Sequence, residues 1–317
     1  MLTNMLDDLK KEPALAYKLA VEYQGNPAGS EPARLASQTV QASTQVQSLL
    51  AESRVGLEQL HPYKKWSGAH WVLAQLADLG YPTGDRSLLP FIEKSYDWLL
   101  GDKHQKWIQE IDGRVRRCAS QESNAVFYTL KLGLADARTD ELVERLIKWQ
   151  WPDGGWNCDR RPQVVISSFM ETLLPLRALA YYSKQSGDRR AGLAAERAAD
   201  IFLKRKLFLR QRDGLVMDTD FLRLHYPCYW HYDILFALRV LSEAGLIDDP
   251  RCGPALDLLE GKQLPASGFP SEAAYYRCSK PEISGYSPVS WGGIRKKSMN
   301  IYVTMDALIV LKRSGRI

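Results

Sequence analysis

Four aspartates stand where predicted loops meet predicted helices, and each could act as an acid. A carboxyl group buried among apolar side chains keeps its proton more readily than an exposed one, so it can protonate a substrate. The candidates are Asp112, Asp233, Asp218 and Asp220. Asp112 is the first choice, because its Gly-containing loop lies between a helix carrying Trp107 and the helix that begins near Ser123. Each aspartate also has a plainer interpretation. Asp112 could be a turn residue, Asp218 and Asp220 could be solvated loop residues, and Asp233 could be an acidic residue in the first turn of a helix.

Cys228 and His231 have a Cys-x-x-His spacing, which could place two metal ligands side by side. His225, Asp220 and Asp233 are near them in the sequence. Zinc needs three or four suitable ligands, however, and no second cysteine is close. We therefore expect no metal and no other cofactor. His231, beside Asp233, is retained as a candidate catalytic residue, with an ordinary hydrogen-bonded histidine as the alternative.

Seven aromatic residues occur at or beside predicted helix beginnings. Rings in such positions could line a cavity, and their faces stabilise positive charge. These candidates for substrate contact are Trp66, Trp71, Trp156, Tyr226, Trp230, Tyr232 and Trp291. The alternative for each of them is packing in the core.

Arg114, followed by Arg116 and Arg117, is the candidate for binding an anionic group. A guanidinium grips a carboxylate or a phosphate by paired hydrogen bonds. These arginines could hold an anionic head group while an apolar tail enters a cavity. A solvated basic rim is the alternative.

The net charge of +5 is mild for 317 residues. It permits peripheral contact with an anionic membrane surface, but no basic run indicates nucleic-acid binding. The five cysteines form no Cys-x-x-Cys pair. Because the chain also begins without an apolar signal core, we expect reduced thiols and a cytoplasmic location. No run of apolar residues is long enough to span a membrane.

Five apolar helices are predicted to position the candidate residues. They begin near Gly68, Ser123, Ser167, Trp230 and Met299. Each follows a more polar helix and a loop that contains glycine and an aromatic residue, a recurrence that indicates repeated helical hairpins. Nothing resembles strand alternation. The sequence therefore predicts an all-α fold, with residues 1–32 as an N-terminal helix and linker and residues 33–317 as one helical domain.

The turn between two of these helices carries a recognisable motif. Pro152 ends the first helix, and Gln150 can hydrogen-bond the loop backbone. The pattern Gln150-x-x-x-Gly154-x-Trp156 resembles the QW motif of squalene–hopene cyclases and their relatives, which share an α/α toroid with the protein prenyltransferases. The resemblance implies a single-domain (α/α) toroid of five to six helical hairpins. A linear helical solenoid is the rival fold.

The same resemblance implies a class II terpene cyclase. In such an enzyme an aspartic acid protonates an alkene or epoxide of a polyprenyl chain, and aromatic rings guide the carbocation through ring closure. Residues 225–231 stand where these cyclases have DxDD, but this sequence has neither DxDD nor DCTAE. Since triterpene cyclases are much longer, single-domain bacterial cyclases of prenylated aromatic acids are the nearest analogues. The alternatives are a zinc-dependent prenyltransferase-like enzyme and a non-catalytic toroid that binds a hydrophobic ligand or a partner protein.

Overall fold

Just over half of the chain is helical, which confirms the all-α prediction. The computed structural model describes residues 2–265 and 268–317. Within that part of the chain the α-helices are α1 (Leu2–Leu9), α2 (Pro13–Lys18), α3 (Glu31–Ala42), α4 (Thr44–Gly56), α5 (Ala69–Leu79), α6 (Leu89–Leu100), α7 (Asp102–Gln105), α8 (Ala119–Lys131), α9 (Ala137–Trp149), α10 (Phe169–Ser186), α11 (Arg189–Leu203), α12 (Ile234–Glu243), α13 (Gly253–Glu260) and α14 (Ile301–Arg313). A π-helical turn (Leu19–Tyr23) extends α2, and 3-10 turns cover Arg86–Leu88, Thr219–Leu222 and Pro250–Cys252.

One small hairpin departs from the helical prediction. Strands β1 (Gln109–Ile111) and β2 (Arg114–Arg116) pair in antiparallel register, with Glu110 opposite Val115. The turn between them is Asp112–Gly113, and both residues have positive φ. Asp and Gly are the residues that tolerate such a backbone in a two-residue turn.

Local sequence signals set several helix ends. The Asp188 side chain accepts hydrogen bonds from the first backbone N–H groups of α11, and Asn300 does the same for α14. Gly80 and Gly187 end α5 and α10 in the left-handed conformation that suits glycine. The first N–H groups and the last C=O groups of a helix have no partner within the helix, and these residues help to satisfy them.

The five predicted apolar helices correspond to α5, α8, α10, α12 and α14, and their side chains are largely buried. Each of them contacts the next in the order α5, α8, α10, α12, α14. Helix α14 contacts α2 and its π-helical turn, and α2 contacts α5, so the series of contacts returns to its first helix. The more polar helices α6, α9, α11 and α13 pack against α5, α8, α10 and α12 respectively.

The N-terminal segment belongs to the same core as the rest of the chain. Leu9, Leu15 and Leu19 are buried in the apolar cluster that also contains the five long helices. The N-terminal helix predicted within residues 1–32 is divided at Pro13, where α2 begins. The domain boundary at residue 32 stays a prediction. No helix in the described ranges has both the length and the apolar character needed to cross a membrane.

Candidate functional site

Asp112 does not have the shielded environment that its predicted role requires. It occupies the exposed tip of the β1–β2 hairpin with φ 52°. Trp107, which precedes the hairpin, is itself 56% exposed. The plainer interpretation, a turn residue before Gly113, describes its position.

The other three aspartates have separate structural tasks. Asp218 and Asp220 are exposed; Asp218 caps a 3-10 turn, and Asp220 pairs with Arg223 at 3.0 Å. Asp233 is fully buried, but its oxygens accept hydrogen bonds from the backbone N–H groups of His225 (2.9 Å) and Phe236 (2.7 Å). It also lies 2.7 Å from the His225 ring. A carboxylate held this way acts as a helix cap. The catalytic role predicted for one of these four aspartates stays a prediction.

His231 is held by aromatic stacking. Its ring lies 4.0 Å from Trp230 and 3.7 Å from Tyr275, measured between centroids. Burial lowers the pKa of His231 to about 3, with smaller contributions from His225 and Lys65. Its imidazole is therefore neutral at physiological pH.

The predicted aromatic residues divide into three groups. Trp66 stacks on Tyr229 with centroids 3.7 Å apart, and Trp71 meets Trp66 edge-on. We call Trp66, Trp71 and Tyr229, with the partly buried Tyr63, Trp230 and Tyr276 against them, the aromatic cluster. The second group is Tyr226 and Trp291, whose centroids are 5.6 Å apart.

The third group packs elsewhere in the core. Trp156 donates from its ring nitrogen to the carbonyl of Leu146 at 3.0 Å, and the Tyr232 hydroxyl donates to the carbonyl of Leu207 at 2.6 Å. For these two residues the core-packing interpretation describes the contacts. Arg114 donates to the Asp112 carbonyl at 3.1 Å, near the exposed hairpin tip.

Buried charges meet at the middle and C-terminal parts of the apolar helices. Arg239 contacts Asp306, Glu243 at 3.2 Å and Asp78 at 3.4 Å. Lys18 lies 3.0 Å from Asp78 and 3.1 Å from Asp306. We call these groups the ion-pair network; its members are Lys18, Glu22, Asp78, Arg177, Arg239, Glu243 and Asp306. The Tyr226 hydroxyl donates to Asp78 at 3.1 Å.

A cavity with about 50 Å³ of free volume borders both the ion-pair network and the aromatic cluster. Gln75 and Asn124 line it, together with Tyr226 and Tyr229. Polar atoms of Gln75, Asn124 and Tyr229 have no hydrogen-bond partner among the described residues. The free volume is sufficient for a few water molecules, but not for a polyprenyl chain.

A much larger cleft lies between the end of α4, helices α6 and α7, and the beginning of α8. It has about 1040 Å³ of free volume, on the scale of pockets that bind organic ligands. The rings that line it belong to His61, Tyr63, Trp98, His104 and Trp107. Arg117 also lines it.

Beside this cleft the fold brings together three side chains that the sequence did not associate. Cys118 precedes the first residue of α8, Cys158 follows the QW-like turn, and Glu171 lies in the first turn of α10. One sulfur or oxygen atom from each lies within 4.8 Å of the others. We call these three residues the thiol–carboxylate cluster. Within the described ranges it is the only group of His, Cys, Asp and Glu side chains with a geometry that could hold a metal ion.

The QW-like turn places Cys158 over α10. Gln150 donates to the carbonyls of Gly154 (2.8 Å) and Ala194 (2.7 Å), as predicted for this glutamine. A Cβ on Gly155 would approach the Ser167 and Thr172 side chains to 2.5 Å, so only glycine fits. The turn is tied to α10 because the Trp156 N–H donates to Thr172 at 3.2 Å.

The surroundings of the thiol–carboxylate cluster are partly apolar. Burial raises the pKa of the Glu171 carboxyl. A hydrogen bond with Cys158, followed by burial, raises the pKa of the Cys118 thiol. Burial raises the pKa of the Tyr63 hydroxyl, and Glu171 raises it further. Tyr63 lines the cleft, as does Arg117, the residue before Cys118.

No protein-family model matches this chain, and no curated protein or solved structure matches it significantly.

Proposed function

We propose that the chain forms a single α/α toroid whose inner wall is α5, α8, α10, α12, α14 and α2. The support is the order of helix contacts, which runs through these six helices and returns from α2 to α5. The more polar helices then form the outer layer, since each packs on the inner wall: α6 on α5 and α8, α9 on α8, α11 on α10, and α13 on α12. A linear solenoid would leave its first and last hairpins without contact.

We further propose that the protein is an enzyme that acts on an apolar chain of the polyprenyl type, bound in the large cleft. The observation that carries this proposal is the position of the cleft. Its lining includes Tyr63 and Arg117, and Arg117 immediately precedes Cys118 of the thiol–carboxylate cluster. An aromatic-walled cleft beside a partly buried carboxyl group combines a surface for an apolar chain with a group that can exchange a proton.

Class II cyclisation is the first candidate reaction, with Glu171 in the role that the sequence assigned to an aspartate. Burial favours the protonated form of Glu171, which is what protonation of an alkene or epoxide requires. The aromatic rings of the cleft would then stabilise the carbocation during ring closure. A final proton would leave to a base, so that the product is an isomer of the substrate.

A zinc-dependent transferase of the prenyltransferase kind is the second candidate. The observation that favours it is the presence of two thiols and a carboxylate in one cluster. In this reaction the three groups would hold a metal ion, and Glu171 would be ionised rather than protonated. The two candidates therefore differ in the state of a single carboxyl group.

The test is incubation of the purified protein with polyprenols, polyprenyl diphosphates and prenylated aromatic acids, followed by mass spectrometry of the products. We expect turnover of at least one of these substrates, and its loss in Glu171→Gln. Asp112→Asn is the matched control at an exposed carboxylate, and it should retain turnover. If Asp112→Asn is inactive while Glu171→Gln is active, the acid is Asp112 as the sequence predicted. Binding of an apolar chain without turnover would instead support a non-catalytic toroid.

A cytoplasmic location and peripheral membrane contact remain part of the proposal. A membrane surface would be the source of a polyprenyl substrate, and the net positive charge of the chain suits an anionic surface.

A further inference from the structure

We infer that Cys118, Cys158 and Glu171 bind one zinc ion, with a fourth coordination position open to substrate. This inference deepens the second candidate function, but the binding of the metal does not depend on the identity of any substrate. It also replaces the expectation, drawn from the sequence around Cys228 and His231, that the protein holds no metal.

The distances within the thiol–carboxylate cluster suit zinc. With Zn–S bonds of ~2.3 Å and Zn–O bonds of ~2.1 Å, a tetrahedral site separates sulfur from oxygen by ~3.6 Å and two sulfurs by ~3.8 Å. The Sγ atom of Cys158 lies 3.7 Å from Oε1 of Glu171. All three ligand atoms are within 4.8 Å of one another. Small side-chain rotations are therefore enough to bring them onto one ion.

The chemistry of the ligands selects zinc over the harder cations. Thiolates favour zinc, whereas magnesium and calcium prefer sites made only of oxygen. Three protein ligands with a fourth position for water or substrate are typical of a catalytic zinc site rather than a structural one. Among the described residues no fourth metal-binding side chain joins the cluster.

The surrounding structure orients the Glu171 carboxylate and leaves one of its oxygens free to bind the metal. The backbone N–H of Ser120 donates to Oε2 of Glu171 at 3.0 Å, which leaves Oε1 facing Cys158. A hydrogen bond to the second oxygen of a ligating carboxylate is a common support for metal sites. Because Ser120 and Glu171 lie in the first turns of α8 and α10, this bond also fixes the two helix starts side by side.

The net charge of the site follows from its ligands. Two thiolates and one carboxylate around a divalent ion give a charge of about −1. Lys65 lies close enough for its ammonium group to interact with Cys118. An electron-rich zinc of this kind is a weak Lewis acid, so the open position suits a substrate thiol or alcohol that is to be held as a nucleophile.

A disulfide between Cys118 and Cys158 is the competing use of the same pair. Both cysteines are free in the structure. A disulfide would remove both thiolates, so the same chain cannot both form this disulfide and bind zinc through these cysteines. The two forms differ in mass and in metal content.

The experiment measures metal in the protein alone, with no substrate present. Zinc in the purified wild-type protein is quantified by plasma mass spectrometry, and intact mass under non-reducing conditions reports any disulfide. The metal is then exchanged for Co²⁺, whose visible and near-ultraviolet bands report tetrahedral geometry and thiolate ligation. We expect about one zinc ion per chain, no disulfide and a thiolate–cobalt band.

Variants identify the ligands. Cys118→Ser and Cys158→Ser should each lose stoichiometric zinc, while Glu171→Gln should weaken zinc binding and keep the thiolate–cobalt band. The matched controls are Cys252→Ser, at a buried cysteine, and Cys278→Ser, at an exposed one; both should retain the metal. Circular dichroism shows whether each variant is folded.

Three results would overturn the inference: wild-type protein that takes up neither zinc nor cobalt, a mass that shows the Cys118–Cys158 disulfide, or unchanged zinc in both folded cysteine variants. These results are independent of the test for polyprenyl turnover. A protein that holds zinc but converts no apolar chain would keep this inference and refute the proposed substrate. A protein that cyclises an apolar chain without metal would support the proposed substrate and refute the zinc site.

Discussion

The ion-pair network and the thiol–carboxylate cluster are both partly or fully buried, but they differ in how completely their groups are paired. In the network every charge has an opposite charge within a few ångströms; Arg239 alone contacts four carboxylates. In the cluster the two thiols and the carboxylate face one another, and the oxygens of Glu171 contact the Ser120 N–H and Cys158 instead of a cation. Groups of the first kind hold the helices together, whereas groups of the second kind are suited to bind a ligand.

The difference also separates the two ends of the apolar helices. The network joins Lys18 in α2 to Asp306 in α14, so it ties the first part of the chain to the last. The cluster joins the beginnings of α8 and α10, and Arg117, the residue before Cys118, lines the large cleft. We therefore expect mutations in the network to affect stability, and mutations in the cluster to affect ligand binding.

The largest effect should come from Arg239→Ala. Removing this guanidinium leaves the buried Asp306 and the half-buried Glu243 and Asp78 with fewer opposite charges, a change that costs about 3–5 kcal/mol in the free energy of unfolding. Urea denaturation measures the loss. Arg251→Ala, which breaks exposed pairs with Asp200 and Asp249, is the matched control and should cost less than about 1 kcal/mol. Equal costs for the two variants would show that the network does not stabilise the fold.

Acid should act on the buried histidines and on the ion-pair network in different pH windows. Burial lowers the pKa of His70, in the first turn of α5, from 6.5 to about 3, so the unfolded chain binds a proton below pH 6.5 that the folded protein does not. Its contribution to stability is present above pH 6.5 and falls as the pH drops towards 3, by about 1.4 kcal/mol per pH unit. Burial opposes the ionisation of Glu243, but Arg177 and Arg239 together outweigh it and lower the pKa of Glu243 to about 2. The contribution of Glu243 to stability is therefore lost only below about pH 4.5, as this carboxylate protonates.

Urea denaturation between pH 7 and pH 4.5 isolates the histidine contribution, to which His231 also adds. His70→Asn should make the fall in stability over this range less steep. An unchanged slope would mean that His70 is not buried in its neutral form.

A smaller effect distinguishes two neighbouring tyrosines. The Tyr226 hydroxyl donates to Asp78 in the network, whereas the Tyr229 hydroxyl has no partner within the described ranges. Tyr226→Phe should cost about 1.5–3 kcal/mol, because it removes a hydrogen bond to a charged group. Tyr229→Phe should change stability by less than about 0.5 kcal/mol. Thermal unfolding of both variants measures the difference. A larger loss of stability in Tyr229→Phe than in Tyr226→Phe would contradict the hydrogen-bond assignments of the two hydroxyl groups.

The parts of the fold that depend on local sequence were predictable. Pro152 and Gly154 mark the turn after α9, and Gln150 makes the backbone hydrogen bonds expected of it. Glycines at helix ends, such as Gly80, marked boundaries for the same reason. These signals act over a few residues, so a single sequence contains them.

The candidate site was not predictable in the same way. Cys118, Cys158 and Glu171 belong to different elements, and only the packing of α8 on α10 brings them together. Asp233 was ambiguous for a local reason. An aspartate before a helix can be a helix cap or a buried acid, and the local sequence is the same in both cases. One signal was available in retrospect: Cys118 and Cys158 each stand just before a predicted apolar helix. Neighbouring apolar helices in a repeat place such positions close together.

X-ray absorption at the zinc edge of the purified wild-type protein is the most direct test of the claim that the helix starts form a reactive, metal-binding region. The account predicts two sulfur atoms at ~2.3 Å and oxygen or nitrogen atoms at ~2.0–2.2 Å in a four-coordinate site. In Cys252→Ser the spectrum should be unchanged, and in Cys158→Ser one sulfur should be lost. A zinc ion surrounded only by oxygen and nitrogen, or a protein that retains no zinc, would contradict the account.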